Sequence, residues 1–181
     1  MAEKDPKTKL SKLLSLVLRH QPEHIGLALD DEGWADVNSI IERANAHGAS
    51  LNRELLEVLV RDNDKQRFIL SADGRRIRAN QGHSVQVDLG LSPVEPPSIL
   101  FHGTADRNLA SIETQGLLKG ERHHVHLSAE ETTARNVGKR YGRPIVLRVD
   151  AAAMHASGHV FFRSANGVWL TEHVPAEFLR R

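Results

Sequence analysis

Arg122-His123-His124-Val125-His126-Leu127-Ser128 sets one arginine and three histidines around two apolar positions. Two distant pieces share its character: Leu18-Arg19-His20 and Asn63-Asp64-Lys65-Gln66-Arg67-Phe68. Each puts arginine or histidine beside apolar residues, where a folded chain can aim a cation into a cleft. Three arginines and a histidine brought to one point suit a doubly charged phosphate. Guanidinium forks match phosphate oxygens in pairs and stay protonated at any working pH.

Something must position these pieces, and the hydrophobic pattern predicts what. Leu10, Leu13, Leu14 and Val17 fall at i, i+3, i+4, i+7, which predicts an amphipathic helix that Gln21-Pro22 stops. Arg19 and His20 then occupy its last turn, where the partial negative charge of the helix end favours cations. Ile25–Leu29 leads into a turn at Asp30-Asp31-Glu32-Gly33. Asp36 is the expected cap of a second helix carrying Val37, Ile40, Ile41 and Ala44, with its exit at Gly48. Asn52 is the expected cap of a third, with Leu55, Leu56 and Leu59 inward. Arg67–Leu70 and Arg75–Ala79 flank the turn Ser71-Ala72-Asp73-Gly74 and predict a hairpin. Three helices and then a hairpin outline a winged helix, a frame that often meets nucleic acid.

Leu91-Ser92-Pro93-Val94-Glu95-Pro96-Pro97 predicts a boundary, since three prolines in five residues continue neither a helix nor a central strand. Beyond it the pattern predicts a strand at Ile99–His102, a Gly103-Thr104 turn, and a short helix on Leu109 and Ile112 ending at Gly116. A strand at Val125–Leu127, a helix around Thr132–Tyr141, a strand at Ile145–Val149 and Trp169-Leu170 complete an α+β half. No internal repeat or low-complexity tract interrupts either half.

Composition bounds the function. The chain has 181 residues, 40% hydrophobic and 26% charged, with a net charge of +1. Residues 1–92 hold 13 Lys+Arg against 14 Asp+Glu, and residues 93–181 hold 11 against 9, so neither half is a bulk polycation. Binding to RNA or DNA must come from local clusters, of which Arg75-Arg76-Ile77-Arg78 is the densest. No cysteine is present, which removes disulfides, thiolate nucleophiles and thiolate metal sites. No apolar run reaches the roughly 18 residues of a membrane helix, and the charged N-terminus lacks a secretory core. A cytosolic, monomeric chain without membrane contact is expected.

Arg19-His20, Asn63–Phe68, Gln81-Gly82-His83-Ser84, His102-Gly103-Thr104 and Arg122–Ser128 resemble, in order and spacing, the motifs of the RNA 2′-phosphotransferase family (KptA in bacteria). The likeness runs from about Leu10 to Leu179, and the five ordered motifs together are specific where any one alone is weak. It implies an N-terminal winged-helix lobe over residues 1–92 that places RNA. It also implies a C-terminal lobe of the ADP-ribosyltransferase fold over residues 98–181 that binds NAD as co-substrate. The implied reaction has two steps. The 2′-phosphate of an RNA attacks the ribose C1″ of NAD and expels nicotinamide. The ribose 2″-hydroxyl then attacks that phosphorus, giving 2′-hydroxyl RNA and ADP-ribose 1″,2″-cyclic phosphate. The family's Arg-His-Arg-Arg set falls on Arg19, His20, Arg67 and Arg122. His102, Gly103 and Thr104, with His126, Leu127 and Ser128, would meet NAD, the histidine from a strand end and the glycine by close backbone approach. No metal is implied.

These residue types suit that chemistry. A phosphate monoester is already an anion, so the first step needs a clamp rather than a general base. In the second step charge gathers on phosphoryl oxygens, where arginines stabilise it, and expulsion of the RNA 2′-oxygen benefits from an acid. For His20 two roles stand, the acid or a phosphate donor. Glu172, late in the chain, is not expected to be catalytic.

Each motif also has a plainer reading. Arg19-His20 compensates a helix end, Arg67 pairs with Asp62 or Asp64, and Gly82 turns the chain while His83 bridges the lobes. Trp34 and Trp169 pack, Arg75, Arg76 and Arg78 form a solvated face, and His155, His159 and His173 lie on the surface without a role. His124 and His126, with His102, make a weak zinc candidate that the neighbouring arginine disfavours. Two other functions compete with the main one. The first is a one-step ADP-ribosyltransferase acting on nucleic-acid terminal phosphates; the second is a non-enzymatic winged-helix regulator that senses NAD or ADP-ribose. Glu54 and Glu57 on the third helix speak against a DNA reader.

Overall fold

The leucine stripe folds as expected into helix α1, Pro6–Arg19, which buries Leu10, Leu14, Val17 and Leu18. Leu14, Val17 and Leu18 are fully buried, and each contributes about 1.5–3 kcal/mol over its exposed state. Pro22 cannot continue the helix, and a single 3-10 turn, Pro22–Ile25, follows and closes on Gly26 in the left-handed region (φ 64°). The computed structural model describes residues 6–63 and 65–181, and the chain divides into two units, Met1–Gly90 and Leu91–Arg181.

In the first unit β1 (Ala35–Asp36) precedes α2 (Val37–Ala46), and α3 (Arg53–Arg61) follows. Both predicted caps form: Asp36 Oδ1 accepts from Ser39 N at 2.8 Å, and Asn52 Oδ1 accepts from Leu55 N at 2.8 Å. Strands β2 (Phe68–Leu70) and β3 (Arg76–Ala79) make the predicted hairpin, and β1 pairs with β3 to give an antiparallel sheet in the order β1-β3-β2. Two residues carry no readable period, so β1 escapes the sequence pattern. One core unites the helices and sheet around Leu14, Leu18, Ile40, Leu56 and Ile77. Trp34 stands half-buried on β1's approach, with the guanidinium carbons of Arg76 and Arg78 at 5.2 and 4.6 Å from its ring centre. Arg76 also pairs with Asp30 at 3.3 Å, so part of the expected solvated face is a stacked cluster.

The second unit is built of short antiparallel sheets. β4 (Ile99–Ala105), β7 (Pro144–Asp150) and β11 (Leu179–Arg180) form one, in the order β11-β7-β4. β6 (Val125–Leu127), β8 (Phe161–Arg163) and β9 (Trp169–Thr171) form another, with β9 central. β5 (Leu117–Leu118) pairs with β10 (His173–Val174). Phe101 and Ser128 exchange two backbone hydrogen bonds of 2.8 Å and join β4 to the end of β6. The proline segment belongs to this unit: Val94 N donates to Phe161 O at 2.8 Å and lays the segment along β8.

Three expectations need correction here. Gly103-Thr104 is no turn, because β4 runs through it to Ala105 in register with β7. The reason is packing: α5 (Glu131–Gly138) crosses β4, and a Cβ on Gly103 would lie 1.6 Å from Ala134 O. A Cβ on Gly138 would likewise come within 2.7 Å of Thr104 O, so two glycines let helix and strand backbones touch. The helix expected to Tyr141 therefore stops at Gly138. Lastly, His159 and His173 are not idle: His159 meets the Phe178 ring at 5.8 Å, and His173 Nε2 shares a hydrogen bond with Gln115 O at 3.1 Å. A short helix, α6 (Ala151–Ala156), was not expected from the pattern, nor were β5, β8, β10 and β11. The helix near Leu109 is α4 (Leu109–Gln115), which ends at Gly116. No helix among the described residues is long and apolar enough to cross a membrane.

Candidate active site

In the first unit Arg19 closes α1, as its sequence position requires. Its carbonyl accepts from Ser84 N (2.9 Å) and Val85 N (3.2 Å), which satisfies a helix-end acceptor and fastens the segment 82–85 there. Gly82 holds φ 85°, and the Arg19 guanidinium lies along it, 3.7 Å from where a Cβ would stand. Arg19 Nε and Nη2 are buried. His20, exposed beyond the helix end, shares a hydrogen bond with Ser84 Oγ at 2.9 Å. The Gln81–Ser84 segment therefore positions Arg19 and His20 directly, and His83 beneath it is fully buried near Gly33.

Arg67 enters β2 from the loop after α3. Its Nη1 donates to Asn63 Oδ1 at 3.4 Å. Asp62, one of its expected surface partners, pairs instead with Arg61 at 2.8 Å; Asp64 lies outside the described residues. The Arg61 hydrogen bond and charge hold the Asp62 carboxyl below the usual carboxylate range. Gln66 reaches a positive φ of 41°, costly for a residue with a Cβ. Buried Asn80 restrains that strained corner: its Nδ2 donates to Gln66 O, and its backbone N donates to Arg67 O at 2.9 Å.

In the second unit Arg122, His126 and His102 form one hydrogen-bonded chain. Arg122 Nη1 donates to His126 Nδ1 at 3.1 Å; a guanidinium cannot accept, so the His126 proton sits on Nε2. His102 Nδ1 donates to the His126 carbonyl at 3.1 Å, leaving Nε2 as an acceptor. Burial pushes the His102 imidazole below its ordinary value; the carbonyl bond works against this, and the Arg122 charge adds to it. His102 is thus a neutral acceptor and His126 a donor, a pair matched to sugar hydroxyls, which both give and take hydrogen bonds. His102 stands within β4 rather than at its end, and strand alternation puts Gly103 on the opposite face, against α5. Gly103 therefore serves helix packing. Thr104 is buried, with Oγ1 accepting from Asn108 Nδ2 at 3.1 Å. Leu127 is buried, and Ser128 lies at the junction with β4.

His124 rests on the Phe162 ring at 5.3 Å, and burial lowers its imidazole against the pull of Glu172. Glu172 is exposed and bonded to Lys119, which holds its carboxyl below the usual range. Among the described residues no group of three or more His, Cys, Asp or Glu is arranged to hold a metal ion.

Comparison with known proteins decides the family. Residues 5–173 match the family described as RNA 2′-phosphotransferase, Tpt1 / KptA family. The chain belongs to the RNA 2′-phosphotransferase family. A probable RNA 2′-phosphotransferase of Pseudomonas aeruginosa is 57% identical over 171 residues, 94% of each chain. One from Agrobacterium fabrum is 58% identical over 172 residues, covering 95% of this chain and 92% of its own. One from Acaryochloris marina is 54% identical over 169 residues, 93% of each. The protein is thereby a transferase.

For an RNA 2′-phosphotransferase-family chain, sequence reasoning passed over two residues beside the site. Asn80 carries a readable signal, a lone amide closing a strand of buried alternation, since a buried amide must be bonded to something. Asn108 gives no such signal; its tie to Thr104 arises only from the helical turn that follows β4.

Proposed function

We propose that this chain removes an internal 2′-phosphate from RNA by transferring it to NAD, releasing 2′-hydroxyl RNA, nicotinamide and ADP-ribose 1″,2″-cyclic phosphate. The observation that carries the reading is the family match over residues 5–173, which spans Arg19, His20, Arg67 and Arg122 across both units. Three helices with a three-stranded antiparallel sheet support a winged-helix lobe over residues 1–92 as the RNA side. The joined antiparallel sheets support an ADP-ribosyltransferase-like lobe over residues 98–181 as the NAD side. A cellular RNA substrate would put the reaction in the cytoplasm, and one chain supplies all of the proposed residues.

The donor set of the second lobe fits NAD. His102 Nε2, the His126 Nε2 proton and the Ser128 hydroxyl supply one acceptor, one donor and one group that does both, suited to ribose hydroxyls. NAD, when bound, supplies an electrophilic ribose carbon with nicotinamide as its leaving group. The chain's own part is then orientation and charge. Arg19, Arg67 and Arg122 are the guanidinium groups proposed for the 2′-phosphate oxygens, which such groups orient without protonating and whose charge they stabilise as the phosphorus is attacked. His20, held through Nδ1 by Ser84, gives a proton to the departing RNA 2′-oxygen or donates to the phosphate.

The test is a short RNA with one internal radiolabelled 2′-phosphate, incubated with and without NAD. NAD-dependent movement of label to ADP-ribose cyclic phosphate is expected. Label retained on RNA in an ADP-ribosylated band would reduce the proposal to a one-step transferase, and no reaction would end it.

A further inference from the structure

Arg67 does not stand alone on its side of the first unit. It forms one end of a groove of about 440 Å³ between α1 and the C-terminal end of α3. Lys7, Lys12 and Lys65 line the same groove, so four cations face it. Among the described lining residues the one carboxylate is Asp62, which is bonded to Arg61 and also feels the Lys7 charge. In a chain whose net charge is +1 this is a local concentration of positive charge, where the first half as a whole is slightly acidic.

The α1 wall has the form of a track. Lys7, Ser11 and Ser15 repeat at i, i+4, i+8, with Lys12 beside them, so ammonium and hydroxyl groups alternate down one helix face over about 12 Å. Hydroxyls and ammonium groups are the side chains that fix a phosphodiester backbone without reading its bases. The floor, Val58 and Leu59, is apolar and gives a sugar or base a face to lie on. By contrast, the Arg76–Arg78 cluster turns its guanidinium groups to Trp34, and Arg76 is bonded to Asp30 as well.

We infer that this groove holds the RNA strand flanking the 2′-phosphate, with Lys7, Lys12 and Lys65 on successive backbone phosphates and Arg67 at the end where the reacting phosphate lies. The inference rests on the RNA reading proposed above. It makes the lysines a length-dependent affinity site that takes no part in the chemical step.

Two measurements separate its fate from that of the proposed activity. The first is binding of a fluorescein-labelled single-stranded RNA without any 2′-phosphate, followed by anisotropy over a salt series. It needs no turnover. Lys12→Gln/Lys65→Gln is expected to weaken binding several-fold and to lower the log–log salt slope by about 0.7 for each lysine removed. Lys139→Gln, an exposed lysine of the second unit, should leave both unchanged. Unchanged affinity in the double variant, or equal loss in Lys139→Gln, would overturn the groove even if the protein proves active. The second is turnover of a long RNA against a 2′-phosphorylated dinucleotide. The double variant should raise KM on the long RNA and leave kcat and the dinucleotide untouched. A matching loss on the dinucleotide would make the lysines part of the reaction site and overturn the assignment.

Discussion

The two units hold their candidate site residues in opposite ways. In the first, Arg19, His20 and Arg67 sit where regular structure ends: the last turn of α1, the residue beyond it, and the loop before β2. Their positions are set by single contacts from elsewhere in the chain, Ser84 on His20 and Asn80 on the Gln66–Arg67 corner. In the second, His102 and His126 stand inside strands, and those strands are locked by the Phe101–Ser128 pair and by α5 lying on Gly103. Under the proposed function the first arrangement would suit a long polymer and the second a small molecule. The contrast predicts that the same kind of substitution costs different things in the two units.

Removing either proposed phosphate clamp gives the largest effect. Arg122→Ala and Arg19→Ala should each lower phosphate transfer roughly 10²–10³-fold, the cost of losing one preorganised charge donor. They should differ in stability. Arg122 is exposed, so its loss leaves the melting temperature unchanged, whereas Arg19 has buried guanidinium nitrogens against Gly82, so its loss lowers it. Arg19→Lys should restore much of the stability and little of the activity, since an ammonium lacks the paired fork. Equal stability in the two alanine variants would dissolve the contrast.

Glycine substitution separates the units next. Gly103→Ala drives a methyl into a backbone oxygen with no space to yield, and should cost about 3 kcal/mol or more. Gly82→Ala meets only the Arg19 side chain at ordinary distance and costs the strain of its positive φ, about 1–3 kcal/mol. Each unit carries one tryptophan, Trp34 or Trp169, so fluorescence unfolding with the other tryptophan changed to phenylalanine assigns the loss to a unit. If Gly82→Ala proved the more damaging, the second unit would not be the rigid one.

His20→Ala should slow the second chemical step more than the first, and Ser84→Ala should do the same more weakly by releasing the ring. Equal slowing of both steps would leave His20 as a phosphate donor and remove its role as acid.

How much of this was legible follows from the range of the forces involved. The helices of the first unit were readable because leucine spacing and the Asp36 and Asn52 caps are signals spread over a few residues. Arg19-His20 could be placed at a helix end for the same reason. The Ser84 contact lies 64 residues from His20 and leaves no local mark. In the second unit glycine misled: Gly103 after a short apolar run looks like a turn, and only Ala134 of α5, 31 residues onward, explains it. Two-residue strands such as β5 and β10 have no period to detect and exist because the unit's core brings their backbones together.

The gentlest probe is pH, and it acts on the second unit. Folding holds His102 below its ordinary value, chiefly by burial, and His124 shifts the same way. As pH falls through the ordinary histidine value, about 6.5, the unfolded chain takes up protons that the folded one refuses. Stability is therefore full above that value and lost on going down toward the folded values. Unfolding followed through Trp169 should show the loss between about pH 7.5 and 5.5, and unfolding followed through Trp34 should show less of it. His102→Gln removes one such group and should flatten the Trp169 profile in part, with His124 still contributing. An unchanged profile would mean that His102 accepts its proton in the fold, and a protonated ring has no acceptor to offer a ribose hydroxyl.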